Sequence, residues 1–281
     1  MNDDNPMNFP ETVIAGVHAA VASALPCEAL PIRNALLLLR SGQNIPIRAL
    51  VTCSLYPEQS GIDAGTALDL IHIGLQQLHS RLVATTGASA LLGPAATVLA
   101  GDYLTTGAFR LLVRCADMRV LALVSDAVNR ASELEAANLG LDQRTRYDPS
   151  LLLQTIRLLA APLGEAAGAT GAALAGYPES LVFTARRYGE CLVSSYVLLQ
   201  EAEAIGPSQA RTALHCAALD LCLQATEEAR AIATATGNSR PLELAELIAA
   251  RIGANASEGS GEFTFLDPPL SERSQNVAGD G

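Results

Sequence analysis

Val98-Leu-Ala-Gly-Asp-Tyr-Leu-Thr-Thr-Gly-Ala-Phe109 is the stretch on which the reading of the fold turns. As a helix it places Leu104, Ala108 and Leu111 on one face, because side chains three and four apart stack along a helix. Gly101 and Gly107 are poor helix-interior residues, each about 1 kcal/mol worse than Ala. Their presence predicts close packing of another element against this segment. Asp102 lies in an apolar run and needs a partner if it is buried.

Outward from this stretch, apolar residues keep recurring at helical spacing. Val13, Val17 and Val21, with Ile14 and Leu25, predict a helix opened by Pro10. A short helix is expected over 34–40, stopped by Ser41-Gly42. Over 62–83, Leu68, Ile71, Leu75, Leu78 and Leu82 form a core stripe, beside a second face of Asp69, His72, Gln76, His79 and Val83. A Gly/Thr/Ser-rich loop over 84–94 leads to helices at about 95–115 and 118–138, broken at Ala116-Asp117. Leu121, Leu123, Val124 and Val128 give the second an apolar face, and Glu133 and Glu135 read as solvated.

Beyond a charged loop, Asp148 suits an N-cap with Pro149 at the first helical position. Pro162 is expected to kink or break that helix. The Gly/Ala-rich run 163–175 permits close helix packing. A long helix follows from about Glu179, Ser208 caps another at about 209–235, and Pro241 opens the last at 242–252. Strand signals are absent, so the expected class is all-α. The organisation reads as a flexible arm over 1–9, a helical domain over 10–253 and a disordered acidic tail over 254–281. Within that tail, Glu262-Phe-Thr-Phe-Leu266 is an apolar island suited to docking on a partner.

The 281 residues are 49% hydrophobic and only 17% charged, against a usual charged share of about 25%. So apolar a chain needs a large core and predicts a subunit interface. A net charge of −11 argues against nucleic acid and anionic membrane surfaces as partners. No apolar run is long enough to predict a transmembrane span, and the acidic N-terminus predicts no signal peptide. Six cysteines without a C-x-x-C pair fit reduced thiols of a cytoplasmic protein.

Gly101-Asp102-Tyr103-Leu104 with Ala108-Phe109 resembles the G-D-x-L-x-x-x-A-F motif of the trans-type isoprenyl (polyprenyl) diphosphate synthases. Leu70-Ile71-His72, Tyr188-Gly189-Glu190 with Leu192, and the C-terminal helical pair match the same family, over roughly 10–253. The resemblance implies an isoprenoid-synthase bundle of antiparallel helices around a central cavity. It also implies a dimer interface built by the helices at 95–115 and 118–138.

The same resemblance locates what this chain has replaced. Gln43 and Asn44 stand where the family holds diphosphate with Lys and Arg, and Pro46 stands at a second Arg. Neutral amides lack the charge-assisted contacts that bind phosphate strongly, although Arg48 nearby could compensate in part. His79 and Ser80 fall on the first two aspartates of the first Asp-rich motif, and no acidic residue occurs between Asp69 and Asp102. Leu159 and Ala160 replace a phosphate-binding Lys-Thr pair. In the second Asp-rich motif the positions are Gln200, Glu201 and Ala204, after Tyr196 in place of a Phe, and Glu203 is out of pattern. His72 and His79 share a face without an evident third ligand, so no metal site is expected.

Prenyl transfer ionises an allylic diphosphate, and in that family Mg²⁺ held by carboxylates stabilises the leaving group. With those carboxylates gone, the expectation is a non-catalytic subunit of a heteromeric prenyl synthase that needs no cofactor itself. Its partner would be a catalytically intact synthase, or a second copy through the same two helices. Two alternatives stay open. One is an active synthase with Mg²⁺ on atypical ligands: Glu201, Glu203 and Asp69 or Asp102. The other is a stand-alone protein that binds an isoprenoid.

Overall fold

The computed structural model describes residues 9–26, 45–79, 93–139, 149–205 and 208–257. Every regular element among them is a helix. The described residues open with α1 (Phe9–Ala24), α2 (Ile47–Leu55) and α3 (Gln59–His72), and α3 continues into a π-helical turn, Ile73–His79. Next come α4 (Pro94–Cys115), α5 (Met118–Leu139) and α6 (Pro149–Leu174). The last three are α7 (Glu179–Ala204), α8 (Gln209–Thr236) and α9 (Arg240–Ser257). The helix expected over 34–40, the loop 84–92, Asp148 and the tail from residue 258 lie outside the described residues. No helix among those described is long and apolar enough to cross a membrane.

At the centre sits α2, packed on α3, α6, α7 and α9. The sequence reading places no helix there. All nine of its residues are buried, so it shows none of the polar/apolar alternation that marks a surface helix. Around it the closest approaches use glycine. A Cβ on Gly168 would lie 1.8 Å from the Ala185 carbonyl oxygen, and one on Gly189 would lie 2.3 Å from that of Gly164. The Gly/Ala-rich half of α6 therefore meets α7 backbone to backbone.

As expected, Leu104, Ala108 and Leu111 of α4 are buried. Gly107 admits the Leu25 side chain, and the Gly101 carbonyl oxygen would stand 2.9 Å from a Cβ on Gly74. That contact presses the π-helical turn against α4. The regular helix expected over 62–83 thus changes geometry after His72, and the wider turn does not keep the α-helical register of His72 and His79.

Two further expectations are corrected. Pro162 does not interrupt α6, which runs through it with Leu163, Gly164 and the residues beyond held in the core. Asp102 is exposed, so the condition of a buried partner does not apply to it. Glu135 is buried because it extends the inward stripe of α5, Val120, Val124, Ala127 and Ala131, by one more helical repeat. The α4–α5 break falls at Ala116, left-handed at φ 51°, and Ser208 caps α8 by accepting the Arg211 N–H at 3.3 Å.

Candidate functional site: a rearranged polar interior

The interior between α2, α3 and α7 is polar at two points. At the first, the Asp69 carboxylate accepts the Ala49 N–H at 3.0 Å and the Arg48 N–H at 3.4 Å. It also lies 3.4 Å from Arg48 Nη1. A carboxylate at a helix N-terminus is favoured by the helix dipole, so Asp69 caps α2 from twenty residues away. Burial pushes its carboxyl up to about 6, against the pull of Arg48 and the two amides, and it lowers the Arg48 guanidinium. Arg48 Nε and Nη2 are buried without a hydrogen-bond partner. Arg48 is therefore a core residue, its guanidinium set against Asp69. The Asp69 carboxylate is likewise engaged with the first turn of α2.

The second point is Tyr196. Its hydroxyl oxygen accepts the Ile45 N–H at 3.1 Å and the Gln200 Nε2 at 3.2 Å, and burial raises the phenol to about 12. The Arg251 guanidinium of α9 lies 5.8 Å from the ring centroid, within cation–π range. Gln200, at the first acidic position of the resembled motif, is thus hydrogen-bonded to the tyrosine one turn before it. Glu201 is half-buried, and Glu203 and Ala204 are exposed.

A third polar link ties the π-helical turn to α6. Gln76 donates through Nε2 to the Leu159 carbonyl oxygen at 2.6 Å, and its Oε1 lies against His72 Nδ1. At the supposed Lys-Thr positions, the half-buried Leu159 offers only its backbone oxygen and Ala160 is buried. Gln43, Asn44 and Ser80 lie outside the described residues, and His79 ends the π-helical turn. Among the described residues, no group of three His, Cys, Asp or Glu side chains is placed to hold a metal. Positions 200, 201 and 204 carry an amide, a half-buried carboxylate and a methyl, and hard oxygen donors are what Mg²⁺ takes.

Beside this interior, a cavity of about 380 Å³ opens between the end of α3, α4 and α5. Its apolar wall is Ile71, Leu75, Phe109 and Val128, and Asp102, Thr105, Thr106 and Ser132 supply its polar groups.

No protein-family model matches the sequence. Octaprenyl diphosphate synthase of Haemophilus influenzae is 28% identical over 149 residues, which are 50% of this chain and 45% of that enzyme. Octaprenyl diphosphate synthase of Escherichia coli is 26% identical over 200 residues, 67% of this chain and 62% of that one. The sequence is similar to polyprenyl diphosphate synthases. It spans between 45% and 62% of the length of these curated relatives. Their solved structures carry the same fold. Decaprenyl diphosphate synthase from Rhodobacter capsulatus superposes with a TM-score of 0.67 at 19% identity, covering 86% of this chain and 96% of that one. The polyprenyl synthase from Caulobacter crescentus CB15, complexed with calcium and isoprenyl diphosphate, gives 0.70 at 21% identity, covering 87% and 96%.

Two features of this chain escape a reading of the sequence. The Arg48–Asp69 pair joins two residues far apart in sequence, one a candidate phosphate ligand and the other a candidate metal ligand. The link from Tyr196 to Gln200 had a visible signal, since residues four apart on a helix are neighbours.

Proposed function

We propose that this chain is a non-catalytic member of the polyprenyl diphosphate synthase family, acting as an accessory subunit to an intact synthase in isoprenoid biosynthesis. The observation that carries the reading is the engagement of Gln200 with the Tyr196 hydroxyl. A position that would have to face a metal is occupied by an amide turned into the protein's own hydrogen bonding. The sequence replacements at Gln43, Asn44, His79, Ser80, Leu159, Ala160 and Ala204 point the same way. Mg²⁺ neutralises developing leaving-group charge, and losing it removes several kcal/mol of barrier lowering. The reading of an active enzyme on atypical ligands now rests on Glu201 and Glu203, because Asp69 is committed to α2.

Incubation of the isolated chain with Mg²⁺, isopentenyl diphosphate and farnesyl diphosphate tests the first half of the proposal. No product is expected, and product that disappears with Glu201→Gln would establish the atypical enzyme instead. Adding the chain to an intact octaprenyl or decaprenyl synthase tests the second half. A change in that enzyme's rate or product length is expected, and no binding and no change would defeat the accessory role.

A second reading is favoured by the cavity under Phe109. Its apolar wall of Ile71, Leu75, Phe109 and Val128 suits a hydrocarbon tail, so the chain could hold an isoprenoid without transforming it. Mass spectra of lipid extracted from the purified protein would show an isoprenoid in that case.

A further inference from the structure

α8 and α9 pack side by side, joined where the Cys222 thiol donates to the Ala245 carbonyl oxygen at 3.5 Å. Close to that joint the outside of the pair is apolar. Leu219 is 41% exposed and Leu223 is 54% exposed, one turn apart on α8, and Cys216 is exposed one turn before them. Helical spacing puts these three side chains on one stripe. Exposed carboxylates flank it on both sides. Asp220 and Glu227 lie farther round α8, and Glu246, next to Ala245, lies across the seam on α9. The neighbouring Glu228 is paired with Arg187 at 2.7 Å, whereas Asp220, Glu227 and Glu246 have no such partner among the described residues. Small exposed residues, Ala250 and Gly253, continue the α9 side of the seam. A Cβ on Gly253 would meet nothing within 4 Å, so the seam stays open there.

An apolar stripe between unpaired carboxylates selects its occupant by charge. A second copy would bring three carboxylates and the exposed Arg230 against the same set, a net repulsion. The residues after Ser257 carry Glu258, Glu262, Asp267, Glu272 and Asp280 against Arg273, so the chain's own C-terminal segment has the wrong sign too. Nucleic acid and anionic membranes are disfavoured for the same reason. What complements the face is a helix with an apolar stripe flanked by Lys or Arg, and such helices lay their apolar side into grooves. The seam between two packed helices receives a third by the same ridge-into-groove fit that packs the bundle.

We infer that the outer α8–α9 face, centred on Leu219 and Leu223, is a docking surface for a basic amphipathic helix of a partner protein. The apolar side of that helix covers the two leucines, and its cations meet Asp220, Glu227 and Glu246. The surface is independent of catalysis and lies on other helices than α4 and α5.

The probe is a synthetic peptide of about five helical turns, with Leu at every third or fourth position, Lys on both flanks and a single Trp. The full chain contains no Trp, so the peptide's fluorescence reports binding directly. Saturable binding that weakens as salt rises is expected. A scrambled peptide of the same composition lacks the stripe, and one with Glu for every Lys lacks the charge; each is expected to bind about tenfold more weakly or worse. Asp220→Lys with Glu246→Lys in one chain, and Leu223→Asn in another, should each weaken the parent peptide about tenfold, with helical circular dichroism unchanged. Asp126→Lys, at an exposed acid of α5, should leave it unchanged. Bound peptide should also shield the Cys216 thiol from a maleimide, read by mass spectrometry, which needs no substitution. No saturable binding, a scrambled peptide that binds as well, a loss in Asp126→Lys equal to that of the double reversal, or a Cys216 thiol that reacts at the same rate under saturating peptide would each overturn the inference. So would a dimer of the chain alone that Leu223→Asn dissociates, since the occupant would then be a second copy.

Discussion

Asp69 caps a helix that begins twenty-two residues before it: its carboxylate accepts the Ala49 N–H at 3.0 Å in the first turn of α2. The same carboxylate is the counter-charge for Arg48, which is only 2% exposed. Two oxygens therefore join α2 to α3 at the middle of the bundle.

Breaking this pair from one side leaves the other charge buried and uncompensated, which is strongly destabilising, by about 3–5 kcal/mol. Arg48→Met and Asp69→Asn are each expected to lower unfolding free energy by that order in urea titrations. The double variant should recover most of the loss. It buries no charge, and the Asn oxygen can still accept the Ala49 N–H. Equal losses that simply add in the double variant would show that the pair is not coupled.

The same carboxyl sets a pH dependence whose sign can be worked out. Desolvation raises Asp69 to about 6 in the folded chain, against about 3.9 when unfolded. Between those values the folded state holds a proton that the unfolded state has released, so stability falls as pH rises through the window. This contribution is fully present below the unfolded value and is gone above about pH 6. Thermal unfolding from pH 4 to 7 should therefore show a downward component in wild type that Asp69→Asn lacks. Parallel curves for the two would exclude Asp69 as its source.

The fold was legible where burial and polarity alternate. Leu104, Ala108 and Leu111 mark the inner face of α4 because their neighbours Asp102, Thr106 and Arg110 do not share it. α2 gave no such contrast, since all nine of its residues are buried. A charged residue there reads as surface unless its partner is known, and Asp69 is too distant in sequence to suggest itself. Glu135 misled for the related reason that charge outweighed its place in the Val120–Val124–Ala127–Ala131 repeat. At the candidate site the sequence alone offers departures from the resembled motifs and no contacts. What Gln200 and Gln76 do instead is decided by Tyr196 and Leu159, and by the π-helical turn that brings Gln76 to α6.

Close helix packing offers a sharp contrast between two glycines. A methyl on Gly168 would meet the Ala185 carbonyl oxygen at 1.8 Å, a backbone atom that cannot step aside. Gly168→Ala should force α6 from α7 and destabilise by about 1–3 kcal/mol or more. A Cβ on Gly253 in α9 meets nothing within 4 Å. There the substitution should stabilise by a few tenths to about 1 kcal/mol, since Ala is the better helix former. Denaturant midpoints moving in the same direction for both variants would contradict the packing account.

Restoring carboxylates tests why metal chemistry would be lost. In wild type, Gln200 is held by Tyr196 and position 204 is a methyl, so millimolar Mg²⁺ is expected to leave the unfolding midpoint unchanged. In the double variant Gln200→Asp, Ala204→Asp, three carboxylates with Glu201 would lie within about one helical turn of α7. Residues three and four apart share a face, and hard oxygen donors are what Mg²⁺ takes. Preferential binding to the folded state raises stability by about 1.4 kcal/mol at ten times the dissociation constant. A Mg²⁺-dependent rise confined to the double variant would locate the deficit in the side chains of α7. A rise of equal size in wild type would mean that Glu201 and its surroundings already bind the ion, and the non-catalytic reading would lose its main support.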